Sequence, residues 1–90
     1  MPLSQTLAAL ADPNRQKIID LLKKGERAVA DLGHYLNITP PTLSHHLDIL
    51  KRADLISARR QGQQIFYSLN LSVLEELVEK FSKFLNTSKK

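Results

Sequence analysis

Apolar residues recur every three to four positions through the first half of the chain, which is the spacing of amphipathic helices. The pattern predicts helices over residues 4–11, 13–24, 28–36 and 40–53. Only residues 37–39 separate the last two helices, so their connection is a tight turn. Two short helices joined by such a turn form a helix-turn-helix, and the hydrophobic pattern therefore predicts this motif.

The residues at the helix ends support these boundaries. Asp12 is a favoured N-cap, Pro13 suits the first position of the second helix, and Gly25 suits its end. The third helix has the poor cap Ala28 at its start. It stops at Asn37, a residue that tolerates the left-handed conformation.

In the second half of the chain the helical period gives way to alternation, which is typical of strands. Residues 55–59 and 64–69 predict two strands, and residues 61–63 predict the turn between them. A final helix is predicted over residues 72–86, with Ser72 as its N-cap. Glu75 follows three residues later, which is the spacing of a capping box. The fold class is mainly α with a small β-hairpin, in the winged helix-turn-helix order α-α-α-α-β-β-α.

The fourth helix begins with two adjacent prolines, Pro40 and Pro41. The first turn of a helix has N–H groups without intrahelical partners, so proline is tolerated there and fixes the entry of the chain. Thr39 is expected to cap the N–H of Thr42. Gly33 is expected to let the third and fourth helices cross closely. The sequence thus predicts a rigid start for the second helix of the motif.

A stripe of leucines on the fourth helix turns Ser44 and His45 outward. Both side chains donate and accept hydrogen bonds, and the N-terminal residues of this helix in a helix-turn-helix meet base edges in the major groove. His46 points toward the buried side and is interpreted as packing or as a phosphate contact. Two alternatives are a metal site and idle surface residues. Adjacent histidines point about 100° apart on a helix and do not easily share one ion.

The charge of the chain is +4 with a pI of about 9.6, which weakly favours a polyanionic partner. Residues 57–70 contain Arg59 and Arg60 and no acid. A basic hairpin after the recognition helix indicates a wing that neutralises phosphates, although a solvated turn with two stray arginines is the alternative. The aromatics Phe66 and Tyr67 are interpreted as hairpin packing, which favours duplex DNA over single strands.

Several classes of protein are disfavoured by the composition. The chain has no cysteine, so disulfides and thiolate metal sites are excluded. No apolar run approaches the length of about 20 residues that a membrane span needs, and the start lacks the pattern of a secretory signal, so a cytoplasmic protein is expected. An enzyme is not predicted, because no glycine-rich phosphate loop and no nucleophile with a recognisable base is present.

Three stretches together resemble the ArsR family of winged-helix repressors: ADPNRQKIIDLL, ADLGHYLNITPPTLSHHLDILKRADLI and RRQGQQIFYSL. The length and the HHL form are most similar to the SdpR-type autorepressor branch. The resemblance implies a homodimeric repressor that binds a palindromic operator. It implies DNA contacts by Thr42, Ser44 and His45 and by Arg59 and Arg60 of the wing. The whole predicted DNA-binding set is Thr39, Pro41, Thr42, Ser44, His45, Arg59, Arg60 and Gln63.

The chain departs from the metal sensors of that family. Thiolate sensors carry paired cysteines in the third helix, near the positions that Ala28 and Ala30 occupy here. Other members bind zinc or nickel between C-terminal helices through histidine and carboxylates. Here the last helix offers Glu75, Glu76 and Glu79 but no histidine. Neither a metal nor another cofactor is therefore predicted, and an unknown effector or regulatory protein remains open.

The apolar stripe of the last helix is wider than one packing surface requires. A single domain over residues 1–90 is therefore expected to dimerise through its N- and C-terminal helices, although folding back of the stripe onto its own domain is the alternative. Residues 87–90 are expected to fray. The predicted dimer interface consists of Leu7, Leu10, Leu74, Leu77, Phe81 and Phe84.

The competing function is a winged helix used for protein interaction, with the recognition helix as its docking face. The basic wing disfavours it, since a wing that docks on protein usually carries apolar residues. The operator sequence, the regulated genes and the inducing signal cannot be read from the chain. Repression rather than activation rests on the family resemblance.

Overall fold

The structure, a computed structural model, describes residues 3–88, without the side chains of residues 87 and 88. Residues 87 and 88 continue the last helix, and the remainder of the expected frayed tail lies outside the described residues. Within residues 3–88, no helix is both long enough and apolar enough to span a membrane. The elements in chain order are α1 (Leu3–Leu10), α2 (Pro13–Leu22), β1 (Arg27–Ala28), α3 (Val29–Leu36), α4 (Pro40–Arg52), β2 (Ile56–Gln61), β3 (Gln64–Leu69) and α5 (Leu71–Ser88).

Helix α2 begins where the sequence predicts and ends two residues earlier. The Asp12 carboxylate accepts from the N–H groups of Asn14 at 2.8 Å and Arg15 at 3.1 Å, which confirms the N-cap. The N–H of Lys24 bonds to a carbonyl three residues back, and so does that of Gly25, which tightens the last turn. Gly25 then takes a φ of 137°, a conformation that favours glycine.

The core lies where the apolar stripes of α2, α3, α4 and the start of β2 meet. Its largest side chains are less than 2 % exposed and belong to Ile18, Leu32, Leu50, Leu55 and Ile56. Burial of each contributes about 1.5–3 kcal/mol relative to an exposed side chain. The core therefore fixes α4 against α2 and α3, and with it the direction in which the outer face of α4 points.

The hairpin belongs to a three-stranded antiparallel sheet in the order β1-β3-β2. Strand β1 was not predicted, because two residues carry no readable period. Strand β2 runs to Gln61, which pairs with Gln64, so the predicted turn over residues 61–63 shortens to Gly62 and Gln63. Gly62 has a φ of 63°, as a tight hairpin turn needs at that position.

The predicted capping box of α5 is wrong. The carbonyl of Asn70 accepts from the N–H groups of Val73 at 3.1 Å and Leu74 at 3.4 Å, so Asn70 precedes the helix and Ser72 lies inside it. The Asn70 side chain accepts from the Ser57 hydroxyl at 2.6 Å and donates to the carbonyl of Asp54 at 2.8 Å. This residue therefore ties the base of the wing to the start of α5.

Candidate nucleic-acid interface

The turn between α3 and α4 has the geometry that the sequence predicts. Asn37 takes the left-handed conformation with φ 54° and ψ 46°, and its N–H donates to the carbonyl of Gly33. Gly33 faces α4 as predicted, but the contact does not require glycine. A Cβ at this position would lie 3.5 Å from Cδ2 of Leu43, which is ordinary contact. The α3–α4 pair is therefore close-packed without depending on glycine.

The first turn of α4 is organised differently from the prediction. The Thr39 hydroxyl makes no bond to the backbone of the helix and instead donates to the Thr42 hydroxyl at 2.9 Å. Because Pro40 and Pro41 have no N–H, Thr42 carries the first N–H of the helix. The two linked hydroxyls lie on the surface at the positive end of the helix, a favourable place for a phosphate.

The faces of α4 are those predicted. Leu43, Leu47 and Leu50 are at most 3 % exposed, whereas Ser44 and His45 are open to solvent. The two polar side chains therefore stand on the outer face near the helix N-terminus. The structure thus leaves their hydrogen-bonding groups accessible, and the base contacts assigned to them stay a prediction.

The wing holds its first arginine more tightly than the sequence suggests. Arg59 donates through Nε and Nη2 to the Glu26 carboxylate at 2.6 and 2.7 Å, and through Nη1 to Oε1 of Gln61 at 2.7 Å. Its guanidinium lies 4.7 Å from the ring centroid of Phe66. The hydrogen bond from Arg59 holds the pKa of the Glu26 carboxyl below its usual value. Residues 57–70 contain no acid, but the fold brings Glu26 from outside this stretch beside the wing.

Arg60 and Gln63 remain open to solvent. Successive residues of a strand point to opposite faces, so Arg60 lies away from the Glu26 clamp of its neighbour. Within residues 3–88 its side chain makes no hydrogen bond or ion pair. The wing therefore presents one satisfied arginine and one available arginine.

The aromatic residues of β3 support the hairpin, as the sequence predicts. Tyr67 packs against the core and Phe66 lies under Arg59. Burial raises the pKa of the Tyr67 hydroxyl, and the nearby charge of Asp48 raises it further. Neither ring forms an exposed platform for stacking bases.

The predicted dimer residues fall into two groups. Leu7, Phe81 and Phe84 are 38, 39 and 66 % exposed. Leu10, Leu74 and Leu77 are half-buried, and the first two pack against the core of their own domain. Other apolar residues on α1 and α5 are also exposed but were not in the predicted interface: Leu3, Leu71, Val78 and Leu85.

The histidines and carboxylates do not gather. Within the part of the chain that the structure describes, no three His, Cys, Asp or Glu side chains are grouped as a metal site requires. Sequence reasoning also missed two polar partners, Glu26 beside the wing and Arg15 beside α4. Both contacts join residues more than 30 positions apart, so no local pattern signals them.

A tight helix-turn-helix, an outward-facing second helix and a hairpin wing define a winged helix-turn-helix protein. Comparison with known proteins agrees. Residues 12–58 match the family described as bacterial regulatory protein, arsR family. The transcriptional repressor SdpR of Bacillus subtilis (strain 168) is 44 % identical over 84 residues, which cover 93 % of each chain. The chain belongs to the arsR family of bacterial regulatory proteins.

Solved structures show the same likeness. A possible transcriptional regulator for arsenical resistance matches with a TM-score of 0.78 and 31 % identity, covering 87 % of this chain and 81 % of that one. A homodimeric winged helix-turn-helix DNA-binding domain from Mycobacterium bovis matches with a TM-score of 0.73 and 30 % identity, covering 97 % and 78 %. Helices and wing therefore follow one arrangement across these proteins.

Proposed function

We propose that this protein is a cytoplasmic transcriptional repressor that binds a palindromic DNA operator as a homodimer. The observation that carries the proposal is the pair Ser44 and His45, exposed at the N-terminal end of α4 beside a basic wing. The family membership supports it, because relatives include the repressor SdpR and a homodimeric DNA-binding domain.

The residues of α4 divide into two roles. Ser44 and His45 hydrogen-bond to base edges in the major groove and supply sequence preference. Thr39 and Thr42, with Pro41 between them, meet the phosphate backbone at the start of the helix. The phosphate contacts set the position of the helix, and the base contacts choose the sequence.

The wing supplies phosphate neutralisation mainly through Arg60, with Gln63 at the turn. Arg59 would have to leave the Glu26 carboxylate before it could bind a phosphate. Its first role is therefore to hold the wing in position, through a bidentate ion pair and its stacking on Phe66. This refines the expectation that both arginines contact DNA alike.

The dimer forms through α1 and α5, and residues 1–90 act as one winged helix-turn-helix domain. Exposed apolar side chains on both helices support this arrangement, with Leu7 on α1 and Phe81 and Phe84 on α5. A two-fold pair would set both α4 helices about 34 Å apart, one turn of DNA. Each subunit would then read one half of a palindrome.

The alternative is a winged helix that docks on another protein. The exposed face of α4 and the wing tip carry polar and basic groups rather than apolar ones, which disfavours protein docking. Metal is not proposed as the signal, so protein treated with a chelator is expected to bind DNA as before. An effector of another kind, or a regulatory protein, remains open.

A shift assay with unlabelled competitor DNA tests the function. Ser44→Ala and His45→Ala are each expected to lower the preference for operator over random duplex by about 1–3 kcal/mol, because each removes a base contact. The matched control is Ser72→Ala, an exposed helical serine on α5, which is expected to keep the wild-type preference. Equal preference in the wild type and both α4 variants would contradict the assignment of α4.

A further inference from the structure

A polar cluster joins the C-terminal end of α1 to α4. Arg15 on α2 donates through Nε to the carbonyl of Ala9 at 2.6 Å and through Nη2 to that of Ala8 at 3.2 Å. Its Nη1 lies 3.2 Å from Nδ1 of His46 on α4. The last carbonyls of a helix lack intrahelical partners, so one guanidinium closes the end of α1 and also holds α4.

The His46 ring can make this bond in one protonation state only. A guanidinium has hydrogen-bond donors and no acceptor, so Nδ1 of His46 must be the acceptor. The ring is then neutral and its proton lies on Nε2. The His46 side chain is 10 % exposed, in contrast to its open neighbour His45. His46 is therefore placed to hold α4 rather than to meet DNA.

A protonated His46 ring has a different partner nearby. Nδ1 lies 3.8 Å from Oδ2 of Asp12, the N-cap of α2. The other charged or titratable groups facing the ring are Arg15 on α2 and His45 on α4, whose ring centroid is 5.9 Å away. Residues 3–10 of α1 carry no ionisable side chain. Protonation would repel the guanidinium and let Nδ1 donate to the carboxylate.

We propose that the Arg15–His46 hydrogen bond is a proton-sensitive link between α1 and the recognition helix α4. The proposal rests on the proposed function, in which α1 contacts a second copy and α4 reads the operator. A neutral ring keeps both helices tied to Arg15. A protonated ring turns to Asp12 and releases α4 from α1. Protonation of the ring therefore lowers the preference for operator over random duplex.

The tautomer of His46 tests the link without any DNA. Long-range proton–nitrogen spectra at about pH 7.5 are expected to show Nδ1 of His46 unprotonated and Nε2 protonated, because Nδ1 accepts from Arg15. Arg15→Lys is expected to weaken this preference, because one ammonium cannot reach the two carbonyls and the ring together. A proton on Nδ1 of the wild type at that pH would overturn the proposal.

Operator preference over random duplex then tests the consequence. Between about pH 7.5 and about pH 5.5 the wild-type ratio is expected to fall about fivefold or more relative to His46→Gln. The glutamine oxygen accepts from Arg15 and does not titrate. His45 is present in both proteins, so the difference between their pH profiles reports His46. The matched control is His34→Gln, an exposed histidine on α3, which is expected to follow the wild type.

Parallel pH profiles for the wild type and His46→Gln would refute the link. Circular dichroism checks that each variant folds. If His46→Gln does not fold, Arg15→Lys takes its place in the comparison. A protein with no operator preference at any pH would defeat the proposed function. The tautomer measurement would still decide the Arg15–His46 bond on its own, so the two failures are distinguishable.

Discussion

The core helices and α5 differ in how far their apolar side chains are exposed to solvent. Leu32 and Leu50 in the core have no exposed surface, whereas Val78 and Phe84 on α5 are 65 and 66 % exposed. The two wing arginines show a similar difference. Arg59 forms an ion pair with Glu26, whereas the Arg60 side chain is exposed to solvent. The buried leucines and the paired Arg59 stabilise the fold of a single domain. The exposed groups include those to which we assign contacts with DNA and with a second copy.

A large loss of stability is expected from a substitution among the buried core residues. Leu50→Ala should lower the free energy of unfolding by about 2–5 kcal/mol, because it removes buried methyl groups and leaves a cavity. Total stabilities of small domains are about 5–15 kcal/mol, so this loss is large. Urea unfolding at fixed protein concentration measures it. An unchanged midpoint would mean that the core is not where the domain is held together.

Charged substitutions on the exposed apolar face of α5 should instead keep the fold intact and prevent dimerisation. Phe81→Glu with Phe84→Glu is expected to give a monomer by light scattering, because the apolar surface can no longer be covered by a second copy. Affinity for a full operator should fall by about 10²–10⁴, the gain that linked half-sites provide. The matched control is Ser72→Glu, which lies on the polar side of the same helix with Glu75 and Glu76. A dimeric double variant would contradict the assignment of the interface.

The helices and the outer face of α4 could be predicted because their signals are local. The apolar period and the prolines define α2 and α4, and the Asp12 cap also marks the start of α2. The same period turns Ser44 and His45 outward. Strand β1 could not be predicted, because it exists only through pairing of Arg27 and Ala28 with β3. The same pairing brings Glu26 next to Arg59, so the clamp on the wing depends on a contact that no local pattern contains.

The two wing arginines should differ in their salt dependence. Each phosphate neutralised contributes a slope of about −0.9 in log affinity against log salt. Arg60→Ala should therefore flatten the slope by about one such step, because its side chain is available. Arg59→Ala should change the slope less and act mainly through a looser wing. Equal slope changes for the two variants would show that the Glu26 clamp opens on DNA.

The smallest effect concerns the pH dependence of that clamp. The folded-state pKa of Glu26 is depressed by Arg59, so the stabilisation is present above the unfolded-state pKa of about 4.3 and is lost as the pH falls through the folded value. The pKa of Asp12 is also lowered, mainly by the hydrogen bond from the backbone N–H of Arg15. Glu26→Gln should therefore be less stable than the wild type at neutral pH and approach it in acid. A constant gap across acid pH would argue against the ion pair.

Selection of bound sequences from a random duplex pool tests the central claim most directly. The wild type is expected to enrich an inverted repeat whose half-sites lie about 10–10.5 base pairs apart, or a multiple of this spacing. The Phe81→Glu and Phe84→Glu double variant is expected to enrich single half-sites weakly. A wild-type pool without an enriched motif, or with one unrepeated half-site, would contradict a dimer that reads DNA through two copies of α4.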